Sequence, residues 1–114
     1  MAKDDYYVIV YQILSYLYQR LKKGEDVDPR QISVKSDFFS INKRYWSYIM
    51  VNLYKGGYID GVILVEIDNA DPTVMGLERC QITPAGIAFL TENSTIEKAK
   101  RFFAEAKDYI VPFI

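Results

Sequence analysis

Apolar positions along the chain recur at two different periods, and the places where the period changes divide it into elements. Val10, Leu14, Leu17 and Leu21 fall at intervals of 4, 3 and 4, one face of a helix. The spacing predicts a first helix from Asp4 to Lys23 that stops at Gly24. Asp4 and Asp5 sit at its positive end and Arg20, Lys22 and Lys23 at its negative end, as the helix dipole favours. Tyr6, Tyr7, Tyr11 and Tyr18 widen the apolar surface, either as rings on the core with wet hydroxyls or as a second face toward another chain. From 28 to 41 the pattern is weak. Asp28-Pro29 reads as an N-cap with proline at the first helical position, opening a short helix that ends near Ser40. A brief strand at Ile32 to Val34 is the alternative.

The helical period returns after Asn42, a candidate N-cap. Trp46, Ile49, Met50 and Leu53 define a buried face, while Lys43, Arg44, Ser47, Val51 and Lys55 fall elsewhere on the wheel. Gly57 suits a left-handed C-cap. A strand is then expected from Tyr58 to Ile67, with Gly61 as a bulge, followed by a turn from Asp68 to Gly76 and a returning strand from Leu77 to Ile82. Thr83-Pro84 opens a helix running to about Glu92, and Ser94 with Glu97 matches a capping box for the last one. There Ile96, Ala99, Phe103, Ala106, Ile110 and Phe113 form a stripe. The order predicts an α+β domain, a winged helix-turn-helix spanning 1–114, with 94–114 a C-terminal helical extension.

Composition narrows the chemistry. Histidine is absent and Cys80 is the sole cysteine, which rules out a His/Cys zinc site, a Ser-His-Asp triad and an intrachain disulfide. The carboxylates are scattered over polar faces and turns. The expectation is a protein without enzymatic activity, metal or cofactor. No apolar run approaches the roughly 20 residues that span a bilayer, and the N-terminus, with acids before its apolar part, is unlike a signal peptide. The expected location is cytoplasmic. Cys80 reads as a small core hydrophobe, and Asn93-Ser94-Thr95 matches a glycosylation sequon by chance.

Beside these readings, "LYKGGYIDGV" and "ITPAGIAFLTENSTIEKAKRFFAEAKDYI" resemble the YjcQ family of small bacterial and phage-encoded winged helix proteins. Leu53, Gly57, Tyr58, Ile59, Gly61 and Val62 carry the first part of the resemblance, and Ile82, Thr83, Gly86, Phe89 and Leu90 the second. Trp46 stands at the aromatic anchor of the third helix. The likeness runs from about Phe38 to Ile110. "VDPRQISVKS" reads as additional material, and Pro84 occupies a position often charged in relatives. The resemblance implies the winged helix fold and a prophage setting.

With a net charge of −1, any nucleic-acid footprint has to be local. Between Phe38 and Ile59 there are three bases, Lys43, Arg44 and Lys55, and no acid. Lys22, Lys23, Arg30 and Lys35 are possible flanks. In a helix-turn-helix the N-terminal residues of the third helix lie nearest the base edges. Lys43, Arg44, Ser47, Tyr48 and Lys55 are therefore the candidate contacts to double-stranded DNA. Against this, Asp60 to Arg79 holds five acids and one base, the wrong sign for a wing that tracks phosphates. The alternative is a protein-interaction or dimerisation module without DNA binding. Either way a homodimer through the first and last helices is expected, which would also cover Val111, Phe113 and Ile114.

Overall fold

The computed structural model describes residues 6–106. Four helices, α1 (Tyr6–Lys23), α2 (Lys43–Lys55), α3 (Pro84–Glu92) and α4 (Ser94–Ala106), accompany two antiparallel strand pairs. Strands β1 (Ile59–Asp60) and β4 (Gln81–Ile82) pair at the base, with Ile59 opposite Ile82. Strands β2 (Ile63–Val65) and β3 (Thr73–Met75) form a separate hairpin, with Ile63 opposite Met75.

Helix α1 is the centre of the domain. Every residue from Val8 to Leu17 is buried, so the helix is enclosed on all sides. The predicted face holds at Val10, Leu14 and Leu17 but not at Leu21, which is exposed in a last turn that runs past the core. The tyrosine question resolves residue by residue. Tyr11 is buried, and that burial raises the pKa of its hydroxyl. Tyr6 and Tyr18 are half-buried, and Tyr7 is exposed. Tyr16 is buried as well, and its hydroxyl accepts the Asp28 backbone N–H at 2.9 Å, tying the following loop to α1. Gly24 ends the helix at φ 66°, and Asp4 and Asp5 lie outside the described residues.

The helix expected to end near Ser40 is a correction. Asp28 does cap a helical turn with Pro29 at its start, but it is a 3₁₀ turn that ends at Ile32. Local side chains then claim the backbone. Ser36 Oγ accepts the N–H groups of Phe38 and Phe39, and the amide of Gln31 holds both the backbone and the carboxylate of Asp37. Such bonds compete with helical ones. Lys35 and Ser40 close this segment as a lone antiparallel bridge, and Ile32 is fully buried.

The strand region also departs from the sequence pattern. Gly61, at φ 87°, divides the expected strand instead of bulging within it, and a Cβ there would lie 1.9 Å from the Arg79 carbonyl oxygen. The expected turn contains β3, and the expected returning strand begins as a 3₁₀ turn, Leu77–Arg79, before β4. Helix α3 has the predicted bounds, with Thr83 Oγ1 accepting the Gly86 N–H at 3.0 Å. The cap of α4 lies one residue earlier than the capping box suggested. Asn93 Oδ1 accepts from Thr95 and Ile96, and Ser94 is already helical. Ile96 and Ala99 are buried as the stripe requires, whereas Phe103, Ala106, Ile110 and Phe113 lie outside the described side chains. Among the described residues, no helix is long and apolar enough to cross a membrane.

Candidate nucleic-acid interface

Helix α2 is fixed at both ends by local chemistry. At the start, Asn42 Oδ1 accepts the Tyr45 N–H at 2.8 Å. At the end, the Tyr58 N–H reaches the Leu53 carbonyl and the Gly57 N–H reaches the Tyr54 carbonyl, with Gly57 at φ 79°. This is the paired bonding of a Schellman motif. Between the caps, Trp46, Ile49, Met50 and Leu53 are buried as predicted. The indole Nε1–H donates to the Ile32 carbonyl at 2.8 Å, locking the helix to the preceding 3₁₀ turn.

The hairpin covers a second side of α2. Val74 is 4% exposed, and Ser47 Oγ lies 2.8 Å from Thr73 Oγ1. Val51 is buried too. Ser47 therefore departs from the expectation for a base contact: it is 4% exposed and its hydroxyl is engaged with the hairpin. What stays open on α2 is a narrower stripe. Arg44, Tyr48, Asn52 and Lys55 are all exposed and succeed one another at 4, 4 and 3 residues, and Lys43 is exposed beside the first of them.

Of the five candidates, the structure thus brings Arg44, Tyr48 and Lys55 onto one face, leaves Lys43 at its rim and withdraws Ser47. Asn52 was missed, although its place four residues after Tyr48 was a legible signal. Its side-chain Nδ2–H donates to the Tyr48 carbonyl at 2.8 Å, which holds the amide along the stripe. Arg44, Tyr48, Asn52 and Lys55 border a concavity of about 270 Å³, whose other walls are Val51, Asp71 and Pro72.

The electrostatics are mixed. α2 contains no acidic residue, and two cations stand in its first turn, at the positive end of the dipole. That placement costs helix stability, so helix stability does not explain it. Asp71, from the β2–β3 loop, lies 3.3 Å from Arg44 Nε, with both side chains largely exposed. An exposed pair of this kind contributes at most about 1 kcal/mol and is exchangeable. Among the proposed flanks, Arg30 is held by the Asp28 carboxylate at 3.0 Å, and that hydrogen-bonded contact keeps the Asp28 carboxyl below its ordinary pKa. Lys22 lies over the Tyr18 ring at 4.4 Å, and Lys35 is exposed. Cys80 is buried, and its thiol is pushed up to about 12, chiefly by burial and then by the charge of Asp60. Burial of this kind marks a packing residue and not an activated thiol.

A family model described as YjcQ protein matches residues 11–109. Comparison with curated proteins and with solved structures gives no match to either.

Proposed function

The chain belongs to the YjcQ family, and on that premise we propose that it is a winged helix-turn-helix DNA-binding protein, a small transcriptional regulator. In this reading α2 is the helix that enters the major groove, the 3₁₀ turn Pro29–Ile32 stands where a second helix would be, and the β2–β3 hairpin is the wing. One observation carries it: the open stripe of α2 holds Arg44, Tyr48, Asn52 and Lys55 on a helix without acids. Arg and Asn are the side chains suited to bidentate contacts with guanine and adenine, and Lys and Tyr suit phosphate oxygens. Lys43 and Arg44 reinforce the positive end of the helix, where a phosphate is best received. Asp71 would be exchanged for phosphate at Arg44. The same reading includes a homodimer through the first and last helices. Since residues 8–17 are enclosed by their own chain, α1 would contribute its ends, at Tyr7 and Leu21.

The test is fluorescence anisotropy of a labelled mixed-sequence duplex at about 50 and 200 mM salt, with the protein's mass measured by light scattering in parallel. Wild type should bind at low salt, with log affinity falling against log salt at a slope near −3 for about three neutralised phosphates per protomer. Lys43→Ala/Arg44→Ala should weaken binding about tenfold or more, and Asp71→Ala should strengthen it. Absence of binding at low salt, or an unaffected double variant, sinks the DNA reading. A monomeric mass sinks the dimer.

A further inference from the structure

We propose that the outer face of the β2–β3 hairpin is a docking surface for an extended segment of another protein, one that alternates basic and apolar residues. Side chains along a strand alternate between faces. On the inner face Val74 is buried, and Leu64, opposite it in the register, is half-buried. On the outer face Ile63 stands directly opposite Met75, and these two are 64% and 60% exposed. Ile67, just beyond β2, is 65% exposed. A single exposed isoleucine is ordinary, but Ile63 and Met75 are cross-strand neighbours, and an exposed apolar pair of this kind, with Ile67 also exposed past the end of β2, suits a partner.

The backbone points the same way. The hairpin is a sheet of two strands, so among the described residues β2 and β3 each have one strand neighbour and one outer edge. An unpaired edge is a template for an added strand, in which main-chain bonds supply affinity and alternate side chains supply specificity.

Charge selects the occupant. Glu66, Asp68 and Asp71 are exposed in the loop that joins the two strands, Asp60 and Glu78 are exposed at the hairpin's foot, and Arg79 is the one base between 60 and 79. A second copy seated hairpin to hairpin would set two acidic rims against each other, and a polyanion laid on this outer face, away from the cations of α2, meets the same repulsion. A segment with Lys or Arg at every other position answers the rim with its charges and covers Ile63 and Met75 with its apolar side chains. Apart from Asp71, which also borders the α2 concavity and pairs with Arg44, this surface lies outside the α2 stripe, and neither Ile63, Met75, Glu66 nor Asp68 belongs to that stripe, so the proposal does not depend on DNA binding.

The probe is a short labelled peptide alternating lysine and valine, with a peptide alternating glutamate and valine as control, titrated by anisotropy against the full chain. The variants are Ile63→Lys/Met75→Lys, which removes the apolar patch, and Glu66→Lys/Asp68→Lys, which reverses the rim. All four positions are exposed, and circular dichroism confirms that the variants fold. The lysine peptide should bind wild type, more weakly as salt rises, and lose about tenfold or more in affinity in each variant, while the glutamate peptide should not bind. Equal binding of both peptides, unchanged affinity in either folded variant, or no lysine-peptide binding up to millimolar protein overturns the proposal. So does sedimentation that shows a wild-type dimer made monomeric by Ile63→Lys/Met75→Lys, which would give the face to a second copy.

Discussion

Helix α1 and the β2–β3 hairpin both carry branched apolar residues, yet the domain uses them in opposite ways. From Val8 to Leu17 every side chain of α1 is covered by the rest of its own chain. The hairpin buries Val74 on α2 and leaves Ile63, Ile67 and Met75 to solvent. The two regions differ in how many neighbours their geometry allows. A helix threaded through the middle of a domain meets packed side chains all round. A two-stranded sheet lying on one helix has a second face, and here its end at Ile63 and Met75 is left exposed. Stability is therefore concentrated in α1, and the hairpin's outer face is free to be shaped by something other than folding.

The strongest way to break this contrast is to open the α1 core. Leu14 is fully buried, and Leu14→Ala should cost about 3 to 5 kcal/mol, read as a lower urea midpoint at an unchanged slope. A loss below about 1 kcal/mol would mean that α1 is not the packed centre. Next comes the junction between the two regions, Gly61, where the chain leaves the β1–β4 pair for the hairpin. Its positive φ and the closeness of the Arg79 carbonyl mean that an added methyl group forces the backbone to move. Gly61→Ala should cost about 2 to 4 kcal/mol, from left-handed strain and overpacking together. The smallest effect sharpens the comparison from the other side. Ile63→Ala should change stability by no more than about 0.5 kcal/mol, because its side chain already stands in water. A large loss there would show that the face is covered in solution.

Much of this architecture is legible in the chain wherever the determining bond is local. Thr83-Pro84 fixes the start of α3, and Gly57 fixes the end of α2, because each residue satisfies helix-end groups a few positions away. The buried side of α2 is legible too, since Trp46, Ile49, Met50 and Leu53 need only the helical period. The segment from Asp28 to Ser40 was misleading because its opening is a true helix signal. Ser36, Asp37 and Gln31 then divert the backbone with side-chain bonds, in a segment where Ile32 and Phe39 are buried. The candidate interface was legible in part. Arg44, Tyr48 and Lys55 could be placed by periodicity, but the loss of Ser47 could not, because it depends on where β3 lies.

The sequence by itself determined where α2 and α3 begin and where α2 ends, which face of α2 is buried, and that its charge gathers without a nearby acid in sequence. Those features rest on caps, glycines and the helical period, interactions that span a few residues. Only the tertiary structure decided that α1 is enclosed on all sides and that Thr73 to Met75 is a strand. It also decided that Ser47 turns inward and that Asp71 meets Arg44. Each of these joins residues more than twenty positions apart or sets a whole element within the core, and no local pattern encodes which distant surface will be there to receive a side chain.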